Sequence, residues 1–201
     1  MKTNTFFLAA LLTGALLFVS CGDDDPAPPA EENAEEVITD VTLTFTPDGG
    51  GTVVIATAQD PDGDGPLALD VTQDIELAAN TTYVMTIGLL NAEDPNDVED
   101  ITEEVQEEAG EHMFFFAWSN DVFSDPTGDG NTDARDDLVN YNDQDGGGLP
   151  LGLSTDWTTG DAGSGTFRVV LKHQPDGIKT ASSGVNDGDS DIDITWDITV
   201  N

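Results

Sequence analysis

The C-terminal segment DIDITWDITV (191–200) alternates between polar and apolar side chains without interruption. Every second position is Ile, Trp or Val, and the positions between them are Asp or Thr. Because a strand turns successive side chains to opposite faces of its sheet, this period predicts a strand with one buried face. We expect Asp191 and the other polar residues of the segment to lie on the solvated face. A helix is excluded, since its apolar stripe would recur every three to four residues.

Six other segments carry strand-forming residues in short runs separated by turn residues. They are VTLTFT (41–46), GTVVIATAQD (51–60), DIELAAN (74–80), TTYVMTIGLLN (81–91), HMFFFAWS (112–119) and GTFRVVLKH (165–173). With the C-terminal segment they predict about seven strands, the number expected of an immunoglobulin-like or related antiparallel β-sandwich. The fold class that we expect is therefore all-β, with long acidic loops.

One segment, VEDITEEVQEEAGEH (98–112), predicts either a short helix or a solvated loop. Its apolar residues Ile101 and Val105 stand four positions apart, as on one face of a helix, and Gly110 follows as a candidate terminator. Its many glutamates are also typical of a solvated loop. We expect at most one short helix in the domain.

The N-terminus is typical of an export signal. An apolar run from Phe6 to Val19 is too short to cross a bilayer comfortably and fits the core of a signal peptide. It ends at FVSC (18–21), which resembles the lipobox of bacterial lipoproteins, a family in which the cysteine becomes the lipidated first residue of the mature protein. Cys21 is the only cysteine of the chain, so it has no internal disulfide partner.

An acidic tether follows the cysteine. GDDDPAPPAEENAEE (22–36) is rich in Pro and Ala and has no apolar period, which is typical of an extended, self-repelling linker. Its three aspartates beside Cys21 resemble the surface-export signal of Bacteroidota lipoproteins. That resemblance implies an outer-membrane lipid anchor, at the cell surface or alternatively on the periplasmic face. The expected organisation is a signal peptide at 1–20, the tether at 21–36 and a β-sandwich domain at 37–201.

The charge balance limits the partners of this chain. It carries 41 acidic residues against five Lys and Arg, a formal net charge of −36. Nucleic acid is excluded as a partner, because binding phosphates requires Lys and Arg. An anionic membrane surface is disfavoured for the same reason, which leaves the lipid anchor as the expected membrane contact.

The acidic residues concentrate in DPTGDGNTDARD (125–136). Their spacing resembles the calcium loops of EF-hand and dockerin proteins and the Asp-rich repeats of thrombospondin type, although Thr at the third position and Asp at the twelfth depart from the EF-hand pattern. Calcium takes six to eight oxygen ligands, and glycine at the sixth position, here Gly130, allows the sharp turn. The resemblance implies calcium ligands at Asp125, Thr127, Asp129, Asn131, Asp133 and Asp136. The alternative is that the Asp-Gly pairs only form turns.

Three further stretches offer carboxylates at similar spacing. QDPDGDGPLAL (59–69) repeats the opening of the pattern with Asp60, Asp62 and Asp64, which we predict as further calcium ligands. The signal is weaker at 141–153 and at 186–193, where Asp-Gly turns are the simpler interpretation.

The two histidines suggest a different metal. His112 and His173 stand at or near the ends of predicted strands, and with Glu111 they form a candidate zinc or copper site if the strands bring them together. The alternative is that both are ordinary surface or edge residues. Trp157, in the polar stretch STDWTTGDAGSG (154–165), is a candidate ligand contact or else packs over its loop. Neither a nucleophile elbow nor a phosphate-binding glycine loop occurs, so we expect a binding protein rather than an enzyme.

From about residue 35 to its end the chain resembles small Bacteroidota surface lipoproteins labelled as a type 1 periplasmic binding fold superfamily. The segments that carry the resemblance are EEVITDVTLTFTP (35–47), DPDGDGPLAL (60–69), LAANTTY (77–83), EDITEEVQEEAGEH (99–112), PLGLSTDWTTG (150–160) and GTFRVVLKHQPD (165–176). It implies an exported, anchored domain with no established reaction. The binding fold of that label alternates strands with helices, unlike the pattern here.

The function that we expect is a lipid-anchored binding module stabilised by calcium. Its partner would be an outer-membrane transporter or an extracellular ligand, and its role accessory to uptake. The alternatives are a calcium-bridged adhesion or matrix lipoprotein, and a lipoprotein that captures zinc or copper with His112 and His173.

Overall fold

The computed structural model of the chain describes residues 36–60 and 69–201, which form an all-β sandwich with one short helix. The predicted fold class is thus confirmed, while the signal peptide, Cys21 and nearly all of the tether lie outside the described residues. The described elements are β1 (Asp40–Pro47), β2 (Val54–Gln59), β3 (Asp70–Gln73), β4 (Ile75–Leu77), β5 (Thr82–Asn91), β6 (Glu99–Asp100), α1 (Ile101–Glu107), β7 (His112–Trp118), β8 (Phe123–Asp125), β9 (Asn140–Tyr141), β10 (Ser154–Thr159), β11 (Gly163–His173) and β12 (Asp189–Val200). Of the seven segments predicted as strands, six contain a strand of six residues or more, and the seventh, 74–80, contains the three-residue β4. The sequence did not predict β10, which has six residues.

The strands divide between two sheets. The larger sheet has the order β3-β2-β1-β5-β10-β8, with β6 added to β5 and β9 added to β10. The smaller sheet has the order β4-β12-β11-β7. Asp74 alone connects β3 in one sheet to β4 in the other, and β4 then pairs with β12 in parallel. This parallel pair departs from the purely antiparallel sandwich that the sequence predicts.

Apolar side chains from both sheets fill the space between them, with an aromatic cluster near its centre. The ring of Trp157 lies 5.5 Å from that of Phe116 and 5.0 Å from that of Phe167, both in edge-to-face geometry. Trp157 is fully buried, and its indole N–H donates to Thr155 Oγ1 over 2.7 Å. The polar stretch around it is therefore strand β10, and Trp157 is a core residue rather than a ligand contact. Its neighbours Thr155 and Thr159 face inward as well.

Helix α1 is shorter than the segment predicted for it. Asp100 caps its first turn, since the Asp100 side chain accepts a hydrogen bond from the backbone N–H of Thr102. Ile101 and Val105 are buried, as their spacing predicts, and the glutamates at 103, 104 and 107 are exposed. The helix ends at Glu107, and four residues separate it from His112, the first residue of β7.

Strand β12 contains a bulge that interrupts its alternation. Leu171 pairs with Ile192, but the next residue of β11, Lys172, pairs with Ser190, so Asp191 is an extra residue without a register partner in that ladder. A bulge turns its extra side chain away from the regular alternation. The side chain of Asp191 is accordingly 0% exposed, which corrects the prediction that it faces solvent.

Candidate metal centre

The two histidines meet at one end of the sandwich. His112 begins β7, His173 ends β11, and the two residues are register partners in the smaller sheet. Their imidazole rings are stacked, with centroids 4.6 Å apart and planes 9° from parallel. Both residues are buried, at 0% and 5% exposure, so the strands do bring the histidines together, away from the surface. His112 lies on β7, the edge strand of its sheet.

A glutamate from the end of α1 joins this pair. One ligand atom from each of Glu108, His112 and His173 lies within 4.8 Å of the other two, and this is the one such group of three or more among the described His, Asp and Glu side chains. Glu111, which the sequence predicts, is also near: its Oε2 is 3.7 Å from His173 Nε2, and its side chain is 46% exposed. The structure therefore adds Glu108 to the predicted residues.

The hydrogen bonds of His112 distinguish its two ring nitrogens. Nδ1 lies 3.3 Å from the backbone carbonyl of Glu108, to which it donates in the Nδ1–H tautomer. Nε2 is buried and has no hydrogen-bond partner among residues 36–60 and 69–201. Oδ2 of Asp191 lies 3.8 Å from it. The bulge of β12 is what brings that carboxylate inward.

Burial and neighbouring charges shift the pKa values of two side chains at this end of the domain, His112 and Glu36. Burial lowers the pKa of His112 to about 4, and repulsion from His173 and Lys179 acts in the same direction, against the hydrogen bond to Glu108. Burial also raises the pKa of Glu36 to about 7, with further contributions from the carboxylates of Glu104 and Glu108. His112 is thus neutral near pH 7, the form in which imidazole binds metals.

A buried ion pair fixes the end of α1 beside the histidines. Lys179 Nζ donates to the carbonyl of Ala109 over 2.6 Å and lies 3.2 Å from Oδ2 of Asp145. Asp145 in turn accepts hydrogen bonds from the backbone N–H groups of Gly147 and Leu149. Burial lowers the pKa of Lys179, against the opposing effect of Asp145. These contacts connect three loops and hold the turn that carries Glu108.

The Asp-rich loop at 125–136 covers an edge of the smaller sheet. Asn131 donates its backbone N–H to the carbonyl of Phe116, and Trp118 donates to the carbonyl of Asp129. The side-chain oxygen of Asn131 accepts from the N–H of Phe116, and its amide nitrogen donates to the hydroxyl of Tyr141. The side chain of Asn131, which is 1% exposed, is thus engaged at the edge of β7.

The carboxylates of this loop point into solvent. The predicted ligands on its exposed side are Asp125, Thr127, Asp129, Asp133 and Asp136. No three acidic side chains of the loop bring ligand atoms within 4.8 Å of one another among the residues that the structure describes. Calcium binding by the loop remains a prediction.

The other Asp-rich stretches that the structure describes include residues of 59–69 and 141–153. Asp60 is buried, while Asp62 and Asp64 lie outside the described residues. Asp143 accepts hydrogen bonds from the backbone N–H groups of Gly152 and Ser154, which is the ordinary use of aspartate in a turn.

Within the described residues, no helix is both long and apolar enough to cross a membrane. Comparison of the chain with protein-family models, with curated proteins and with solved structures found no match. Any functional conclusion must therefore come from the residues of the site.

Proposed function

We propose that this protein is a lipid-anchored module of the cell envelope that captures a transition metal, zinc or copper, through His112, His173 and Glu108. The observation that carries the proposal is the convergence of two buried imidazoles and one carboxylate within 4.8 Å. Imidazole nitrogen and carboxylate oxygen together form a donor set typical of zinc and copper(II) sites.

The spacing of the three side chains is compatible with a metal ion after a small adjustment. Two ligand atoms on a tetrahedral zinc lie roughly 3.4 Å apart. Closing from the observed limit of 4.8 Å needs a movement of at most about 1.4 Å, to which rotation of the exposed Glu108 side chain contributes. The neutral state of His112 adds support, since no proton has to leave that imidazole before a metal binds near pH 7.

The charge of the protein suits capture from dilute solution. A net charge of −36 raises the concentration of cations near the surface and speeds their encounter with the site. The lipid anchor at Cys21 and the outer-membrane location stay predictions from the sequence, and so does the role of a binding protein rather than an enzyme. Together they describe a protein that holds metal at the cell surface for a transporter.

Calorimetric titration of the purified protein with zinc or copper(II) chloride tests this proposal. We expect one site per chain, and affinity at least about tenfold weaker in His112→Ala and in His173→Ala, because each removes a ligand. Glu108→Gln should also weaken binding. The matched control is Glu107→Gln, which changes the exposed neighbouring glutamate and should bind as the wild type does. Wild-type protein that binds neither metal, or histidine variants that bind normally, would contradict the proposal.

A further inference from the structure

The turn between α1 and β7 brings two carboxylates to the histidines, and the two are placed differently. Glu108 has a ligand atom within 4.8 Å of one from each histidine. Glu111 has its Oε2 3.7 Å from Nε2 of His173, but among the described residues it forms no equally compact group with His112 and His173. Glu108 therefore faces the histidine pair, whereas Glu111 lies beside His173.

The backbone fixes Glu111 next to His173 and leaves its side chain partly in solvent. The N–H of Glu111 donates to the carbonyl of Glu108 over 2.8 Å, and the carbonyl of Glu111 accepts from the N–H of Gln174, the residue after His173. The side chain of Glu111 is 46% exposed, while the ring of His173 is buried. A metal ion that arrives from solvent thus meets the Glu111 carboxylate before the buried imidazole.

One of the histidine rings has to turn before both can bind the same ion. The ring planes are 9° from parallel and the centroids 4.6 Å apart. The lone pair of an imidazole nitrogen lies in the plane of its ring, so two stacked rings do not direct their lone pairs to one point. His112 is held by the contact of its Nδ1 with the carbonyl of Glu108, which leaves His173 as the ring that turns. An ion bound first by Glu111 and His173 reaches His112 with that turn.

We propose that Glu111 is the transfer ligand of the site. It binds the incoming metal ion together with His173, is replaced by His112 and Glu108, and binds the ion again on release. This inference rests on the proposed function, since it assumes that the histidines bind a metal. A ligand used only during entry and release lowers the barrier between the free and the bound ion without changing the energy of either state. It therefore speeds uptake and release by the same factor, which suits a protein that gives its metal to a transporter.

The substitution Glu111→Gln tests the inference, because it keeps the size of the side chain and removes the carboxylate. Stopped-flow absorbance with the coloured chelator pyridylazoresorcinol follows release of zinc or copper(II) from the loaded protein, and calorimetry with the metal chloride gives the affinity. We expect release to be about tenfold slower than in the wild type. The affinity should stay within about threefold of the wild-type value, as for a change at an exposed charge.

The variant Glu107→Gln is the matched control. Glu107 is the exposed last residue of α1, so its substitution removes the same charge from the same part of the chain. Release from this variant should be as fast as from the wild type. The comparison separates the loss of a ligand from the loss of one negative charge.

The outcomes distinguish this inference from the proposed function. Release from Glu111→Gln that is no slower than from Glu107→Gln overturns the inference and leaves the proposed function standing. With unchanged affinity that result means that Glu111 takes no part, and with lowered affinity it means that Glu111 is a permanent ligand. A wild-type protein that binds neither metal overturns both.

Discussion

Replacing Gly130 with alanine tests whether the Asp-rich loop is needed to cover the edge of β7. Gly130 has φ +102°, a region that side chains other than glycine rarely adopt, and a Cβ atom there would lie 2.0 Å from the carbonyl oxygen of Phe116. The backbone strain alone costs about 1–2 kcal/mol. Relieving the clash moves the loop away from β7 and breaks the hydrogen bonds of Trp118 to Asp129 and of Asn131 to Phe116.

Gly128 offers a matched control for the strain. Its φ is +104°, nearly the same as that of Gly130, but a Cβ atom at Gly128 meets nothing within 4 Å. Gly128→Ala should therefore cost only the strain of about 1–2 kcal/mol. Gly130→Ala should cost about 3 kcal/mol more, from three broken hydrogen bonds at about 1 kcal/mol each.

Urea denaturation followed by tryptophan fluorescence measures both free energies of unfolding. We expect the midpoint of Gly130→Ala to lie well below that of Gly128→Ala, at an unchanged slope. Equal destabilisation of the two variants would refute the reasoning, since it would mean that the contact of the loop with β7 contributes nothing beyond backbone strain.

Two further predictions concern charges near the metal centre. Lys179→Met leaves the Asp145 carboxylate, whose side chain is 5% exposed, without its cation, so we expect a loss of about 3 kcal/mol in unfolding free energy. Arg168→Met, at an exposed pair, should cost at most about 1 kcal/mol, and equal losses for the two variants would contradict the role given to burial. Glu36→Gln should raise the melting temperature at pH 8 but not at pH 4.5. The folded pKa of about 7 lies above the ordinary value of 4.5, so the stability linked to Glu36 is complete below pH 4.5 and is lost as pH rises through 7. A melting temperature raised equally at both pH values would show that the charge of the partly buried Glu36, destabilised by burial and by the carboxylates of Glu104 and Glu108, is not the cause.

The long strands were predictable because alternation is a local signal, but β10 was not. In β10 the inward positions beside Trp157 are threonines, so the segment has the polarity of a loop. The two hydroxyls are satisfied inside the fold: Thr155 accepts from the indole of Trp157, and Thr159 donates to the carbonyl of Ala78. A buried threonine with a hydrogen-bond partner cannot be told from a solvated one in the sequence, because its partner is supplied by another part of the chain.

The site was predictable in the same limited way. His112 and His173 stand at the ends of predicted strands, and register pairing of those strands brings them together. Glu108 lies four residues before His112. In a helix that spacing would have placed the two side chains on one face, but α1 ends at Glu107, so the spacing did not predict their contact. The inward position of Asp191 could not be predicted from the sequence. The bulge in β12 turns this side chain inward, but the alternation of polar and apolar residues in the sequence continues through Asp191 unchanged.

The loop at 125–136 shows why acidic spacing alone does not identify a calcium site. Gly130 is compatible both with a turn around an ion and with close approach of the loop to a neighbouring strand. In the structure, close approach of the loop to a strand explains Gly130 and Asn131, since both residues lie against Phe116 of β7. The exposed edge of a strand invites association with other chains, so a covering loop with outward carboxylates protects β7 whether or not calcium binds.

Metal binding and folding stability are expected to be linked at the histidine pair, because His112 and His173 come from different strands and meet only in the folded chain. A metal ion that binds the folded chain alone stabilises it, to an extent set by the affinity and the concentration of the metal.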